Sequence, residues 1–276
     1  MGRRSYNFTK EKHDRFLREG RGSGTGDEYK PWLTVFDLPS LGNSYRLRSY
    51  WTHNRESHCF SNLERDWFFI FDWAPNVVDI REQFPLLPLD ETRELANKLK
   101  IKHPQYARKS EPYDIVLTSD FLLTIRKPDG ELIQRVQTVK YGNALKNPRI
   151  LEKFKLEEAF WQIRNIDWSI CTNDYSRVLV NNISLLRGFC RLSDRIELSD
   201  QRLLDIGDYL NRELLGNTEQ YPLLEFVNQS DKLFNLQPGS SLTIVYHLLA
   251  NRVWKVDMYQ PVHPHYYLSI RASHFA

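Results

Sequence analysis

Cysteine is scarce in this 276-residue chain, and the three that occur, Cys59, Cys171 and Cys190, lie far apart. No two form a CxxC pair and three cannot all pair, so they read as reduced thiols rather than as a disulfide framework. Long apolar runs are also missing. No stretch approaches the roughly 18 residues that a bilayer span needs, and the opening MGRRSYNFTKEKHDRF lacks the apolar segment of a secretory signal. Position 6 is Tyr where a myristoylation signal needs Ser or Thr, which argues against a lipid anchor. These absences predict a cytoplasmic protein with no membrane partner. Internal repeats and low-complexity tracts are lacking too. The GRGSGTG stretch at 20–26 has no strand before it and no Lys-Ser/Thr after it, so it reads as a turning connection rather than a phosphate loop.

What is present describes an ordinary globular chain, 41% hydrophobic and 26% charged, with length enough for two cores. The formal charge is only +3. From Arg177 onward 10 Lys and Arg balance 10 Asp and Glu, leaving 28 against 25 before that point. Any grip on DNA must therefore come from local patches or from partners, because non-specific affinity scales with the phosphates neutralised.

The pattern along the chain predicts a short amphipathic helix at 9–19, strands in WLTVFDL and YRLRSYW, and a helix over 62–73 capped by Asn62. VVDIREQF reads as a strand, 90–101 as a helix and WSICT as a last strand. The helix RILEKFKLEEAFWQIRN at 149–165 is expected to set Leu151, Phe154, Phe160 and Trp161 near one face. Alternating strands and helices indicate a mixed α/β core over residues 1–175. Residues 176–276 change character, with helices at 178–189, 199–215 and 221–228, then a turn, a helix and a strand in LQPGSSLTIVYHLLANRVWKVD. That is a winged-helix-like layout. The helix SSLTIVYHLLA is too apolar to read a DNA groove, which favours partner docking.

TSDFLLTIRKPDGELIQRVQTVK at 118–140 is a hairpin with an acid near one end and a base at the other. A three-residue loop at PDG makes partner numbers sum to 258, setting Asp120 opposite position 138 with Lys140 diagonally across. Strict alternation then puts Asp120, Thr138 and Lys140 on one face. On geometry alone this could be a cross-strand salt bridge worth about 0.2–1 kcal/mol at a surface.

The company of that hairpin points elsewhere. EGRGSGTGDEYKPWLTV (19–35), SNLERDW (61–67), VVDIREQFPLLP (77–88), KHP (102–104), TSDFL (118–122) and LEKFKLEEAFW (151–161) resemble, in order and spacing, the TnsA endonuclease subunit of heteromeric cut-and-paste transposases. The resemblance covers about residues 13–172. It implies a restriction-endonuclease-like PD-(D/E)XK core and a magnesium-dependent nuclease, manganese substituting, that uses two ions to cleave the 5′ ends of a transposon. The implied partners are transposon-end DNA, a TnsB-like DDE recombinase and a TnsC-like AAA+ ATPase, at the nucleoid of a bacterial cytoplasm. Residue by residue, the family's catalytic acids fall on Glu64 and Asp120 and its lysine on Lys140. By the same resemblance the metal would be held by Glu64, Asp120, the backbone oxygen of Val139 and a helix acid, Glu157. One departure stands out: Thr138 occupies the place where the family has Gln or Glu, and Gln137 is expected on the opposite face.

DNA hydrolysis needs a hydroxide, charge stabilisation at the phosphate and neutralisation of the departing oxygen, and oxygen-ligated magnesium supplies all three. Two carboxylates about 5 Å apart repel by roughly 3 kcal/mol at an effective dielectric near 20, so three acids together argue for a cation. The alternative is a catalytically impaired architectural subunit that binds DNA and partner proteins, a reading Thr138 favours. His53, His58 and Cys59, with Cys171, make an incomplete zinc set. Asp79 and Glu82 suit charge pairing inside the core. Arg3, Arg4, Lys10, Lys12, Arg15, Arg18 and Arg21 suit either phosphate contact or a solvated face, and His263 and His265 a surface loop.

Overall fold

The computed structural model describes residues 8–37, 42–106, 112–217, 222–268 and 270–272. The chain divides into two compact units, Met1–Tyr175 and Ser176–Ala276. In the first, helix α1 (Lys10–Arg18) precedes a ribbon of β1 (Tyr45–Arg48) and β2 (Glu56–Cys59), then α2 (Asn62–Trp73), β3 (Val77–Pro85) and α3 (Leu89–Lys98). A small pair, β4 (Gln105–Tyr106) and β5 (Tyr113–Asp114), leads to β6 (Thr118–Arg126), β7 (Leu132–Val139), α4 (Pro148–Gln162) and β8 (Asp167–Cys171).

The central sheet has the order β3-β6-β7-β8. Its first two pairings are antiparallel, and β8 joins β7 in parallel through the α4 crossover, so the sheet is mixed. Leu122 and Val136 face α3 and α4, packing with Leu95, Leu156, Phe160 and Trp161, while Phe121 meets Phe71 of α2 edge to face on the other side. The hairpin loop has the expected length. Pairs sum to 258 from Arg126↔Leu132 to Phe121↔Gln137, and Lys127 and Glu131 close around a three-residue turn whose Gly130 has φ +90°.

The Gly-rich stretch is a packing device. Gly22 has φ +80°, and a Cβ there would lie 2.2 Å from Cγ of Pro85, so only glycine lets this loop seat against the end of β3. Residues 32–37 form turns rather than the expected strand, because Asp37 accepts from the Thr34 amide and hydroxyl and from Arg21. Leu38, from the same expectation, lies outside the described residues. Leu151 was expected on the buried face of α4 but is 40% exposed; Leu156 takes that place with Phe160 and Trp161.

The second unit contains α5 (Arg177–Arg187), α6 (Asp200–Asn217), α7 (Leu223–Leu233), α8 (Ser240–Ala250) and a short antiparallel ribbon of β9 (Trp254–Lys255) and β10 (Arg271–Ala272). α8 is its core helix, burying Ile244, Val245, Tyr246 and Leu249, which explains its apolar sequence. The helix expected at 221–228 spans Leu223–Leu233; Tyr221 lies outside the described residues.

Candidate active site

The site forms where β6 and β7 stop pairing. Beyond Phe121↔Gln137 the main-chain ladder gives way to a side chain: the Val139 amide donates to Oδ2 of Asp120 at 2.6 Å. Gln83 Nε2 donates to the other oxygen at 3.5 Å. Strand β6 turns over at this point. Leu122 packs on the α4 side, and so does Ser119, whose hydroxyl donates to Oε1 of Glu157 at 2.6 Å and accepts from Trp161 Nε1 at 2.8 Å. Residues three apart cannot share a face of a straight strand. The adjacent strand is irregular at the same level, where Gln83, between Glu82↔Phe121 and Phe84↔Ser119, has φ +49°.

This twist corrects the expectation that Asp120 and Thr138 share a face by simple alternation. The Thr138 hydroxyl donates to Oε1 of Glu157 and accepts from Trp168 Nε1 at 3.2 Å, so it belongs with Ser119 on the α4 side. Asp120 instead bonds to the main chain at the strand end. Gln137 is turned away as expected, accepting from the Ser169 hydroxyl and the Cys171 thiol.

Glu64 reaches the site from the first turn of α2, and Ser61, not Asn62, caps that helix. Ser61 Oγ accepts from the Glu64 amide at 3.1 Å and donates to Glu64 Oε1 at 2.9 Å, while Glu64 Oε2 accepts from the Phe60 amide at 2.9 Å. This reciprocal arrangement is a capping box, and the S-x-x-E spacing of Ser61 and Glu64 was the signal that would have revealed it. No comparable local signal marks Ser119 or Trp168, which come to Glu157 only through tertiary packing.

The electrostatics tie these acids together. Burial raises Glu64 to about 8, Asp120 adds to that rise, and Lys140 opposes it. Burial raises Asp120 to about 6 against the Val139 amide, Lys140 and the Gln83 amide. Glu157, only 6% exposed, is raised to about 7 by burial, with Asp120 adding a smaller push against its hydroxyl donors. Among the described residues no cation lies within 4 Å of any of the three, and the Lys140 ammonium likewise makes no ion pair. Nor is any group of three or more His, Cys, Asp or Glu side chains among them drawn together tightly enough to hold a metal ion. Glu64 is folded onto its own cap and Glu157 onto two hydroxyls, with the Trp168 indole beside it. The donors are all oxygen, a set that suits magnesium or manganese, and a cation among them would turn repulsion into attraction.

Other candidates have structural occupations. Glu82 is fully buried and takes two bonds from Arg55, at 2.8 and 2.6 Å, and one from the His58 amide. Asp79 faces Arg81 at 3.4 Å. Arg21 is bound to Asp37, Glu19 and the Trp32 carbonyl, and Arg15 pairs with Glu19, so this part of the basic face is engaged internally. Arg3 and Arg4 lie outside the described residues. His263 and His265 are exposed in an irregular segment.

Comparison with known proteins supplies the class: a transposase endonuclease subunit. A family model described as TnsA-like endonuclease N terminal matches residues 74–173, and one described as TnsA endonuclease C terminal matches residues 174–258. The chain is 34% identical over 261 residues to the Transposon Tn7 transposition protein TnsA of Escherichia coli, covering 94% of this chain and 90% of that protein. It belongs to the TnsA family.

Proposed function

We propose that this protein is a metal-dependent DNA endonuclease that cleaves the 5′ ends of a transposon inside a multi-protein transposase. A TnsB-like DDE recombinase would act at the 3′ ends and a TnsC-like AAA+ ATPase would regulate the assembly; family membership supports both partners. The observation that carries the site is geometric: the Val139 amide holds the Asp120 carboxylate at the strand end next to Lys140, and burial, with Asp120 adding to it, raises Glu64 far above the ordinary carboxylate range with no cation in contact among the described residues.

Glu64, Asp120, the carbonyl of Val139 and Glu157 would hold magnesium, two ions in all, with manganese as a substitute, once Glu64 turns from its cap and Glu157 from the two hydroxyls. Bound there, the metal would supply an activated hydroxide, charge stabilisation on the phosphate and neutralisation of the departing 3′ oxygen. Lys140 would orient the attacking water or take up the negative charge building at phosphorus. The Val139 amide fixes the Asp120 carboxylate in place, so the rigid sheet positions the acid.

The mixed sheet flanked by α2 and α4 supports a restriction-endonuclease-like PD-(D/E)XK reading of residues 1–175. The helices and ribbon of residues 176–276 support a winged-helix-like unit, and the burial of apolar α8 favours partner docking over base readout. Thr138 favours a second reading, a catalytically silent architectural subunit, because its hydroxyl is committed to Glu157 where the family pattern offers Gln or Glu.

One assay separates the two: cleavage of transposon-end DNA with the cognate partners and Mg²⁺ or Mn²⁺, comparing the parent with Asp120→Ala. The expected result is 5′ nicking by the parent and none by the variant, with assembly intact in both. An inactive parent beside a competent recombinase would support the architectural reading, and undiminished nicking by Asp120→Ala would remove the site assignment.

A further inference from the structure

Between Lys140 and Lys155 the chain carries Lys140, Lys146, Arg149, Lys153 and Lys155 against a single acid, Glu152. Arg149 is pinned, donating to Glu152 at 2.6 Å and to the Lys102 carbonyl at 2.6 Å. Lys153, one helical turn further along α4, is solvent-accessible and has no ion pair among the described residues. It feels three things: partial burial, Arg149 and Lys140, and all three lower its pKa. Lys153 stands one turn before Glu157 on the same helix, and Lys140 directly follows Val139, whose amide binds Asp120. A file of positive groups therefore runs from the carboxylate site onto the first turns of α4. Arg149 has Glu152, but Lys140 and Lys153 have no counter-ion among the described residues, and like charges kept together destabilise a fold unless an anion joins them.

We propose that Lys153, with Arg149 beside it, is a positioning residue that grips the DNA backbone next to the phosphodiester held at Asp120. This rests on the nuclease reading of the site. Duplex DNA presents a charge about every 1.7 Å of its axis, so a strand seated at Asp120 carries further phosphates past its neighbours. Residues 149 and 153 are i and i+4 on one helix face, about 6 Å apart, spaced to meet successive phosphates. The contact is to phosphate and carries no sequence information.

The test measures binding of the full chain to a transposon-end duplex in EDTA, where no cleavage occurs, across a series of salt concentrations. Lys153→Ala should reduce the slope of log K against log salt by about 1 relative to the parent. Lys127→Ala removes the same charge at the far end of the hairpin, about 23 Å from Asp120 by strand rise, and should leave the slope unchanged. Equal slopes for the parent and Lys153→Ala, or no salt-dependent binding by the parent, would overturn the proposal. So would a Lys153→Ala defect confined to capture of an acidic partner protein. Cleavage is read separately with Mg²⁺ and the cognate partners, so a chain that binds as described yet never cuts beside a competent recombinase would refute the nuclease reading alone.

Discussion

The Val139 amide donates its proton to the carboxylate of Asp120, closing the end of a strand pair that main-chain bonds leave open. An asparagine can keep that acceptor while losing the charge. Asp120→Asn should therefore lower cleavage at least about 100-fold, the scale seen when a single charge-stabilising group is removed from a site. Its melting temperature at pH 8 should hold or rise, since a buried charge is gone. Cleavage within tenfold of the parent would reject Asp120 as the site's acid.

Glu157 gives a pH test whose sign is opposite to that of a salt-bridged acid. Its pKa is raised from 4.5 to about 7 by burial, so between those values the native state binds more protons than the unfolded chain. Stability contributed at this position is full below pH 4.5 and lost as pH rises to 7. Glu157→Gln, whose carbonyl can still accept from Ser119 and Thr138, should match the parent near pH 4.5 and exceed it by up to about 3 kcal/mol at pH 8. Urea unfolding of both proteins across this range checks it, and a difference independent of pH would refute it.

Ser61 and Glu64 cap α2 reciprocally. Ser61→Ala should destabilise the first unit by about 0.5–2 kcal/mol, the usual cost of a lost cap, and leave Glu64 with one donor fewer. The Glu64 pKa should then move further up, and the pH for half-maximal cleavage with it. A variant equally stable but with an unmoved pH profile would show that the cap and the site are independent.

Gly22 lies against Pro85 in a left-handed conformation. Gly22→Ala combines backbone strain with a steric clash, and should cost about 2–4 kcal/mol in chemical denaturation. A neutral result would show that the loop can lift off β3.

Much of this architecture was legible in the letters. The PDG turn fixed the β6–β7 register, because loop length alone sets which residues face each other, and the apolar period of α2 and α4 marked both helices. The failures have physical causes. The alternation argument assumed a straight strand, and β6 turns over at Asp120 beside an irregular Gln83; neither residue type announces that. The cap of α2 was misplaced by one residue although Ser61 and Glu64 carry the spacing of a capping box. The partners of Glu157, from Ser119 to Trp168, lie up to 38 residues away in sequence and meet only when sheet and helix pack.

Metal binding should be linked to proton release. At pH 6.5 Asp120, at about 6, is largely ionised, while Glu64 at about 8 and Glu157 at about 7 are largely protonated. Carboxylates ligate a divalent ion in the ionised form, so uptake at that pH must expel roughly one to two protons, and almost none at pH 9. Affinity for Mg²⁺ or Mn²⁺ should rise across the same interval, and EDTA should return the protein to its metal-free melting temperature. Calorimetry in two buffers of different ionisation enthalpy counts the protons directly. Binding that is independent of pH, with no buffer dependence at 6.5, would mean that Glu64 and Glu157 keep their hydrogen-bonded positions and that the ion, if held at all, touches Asp120 alone.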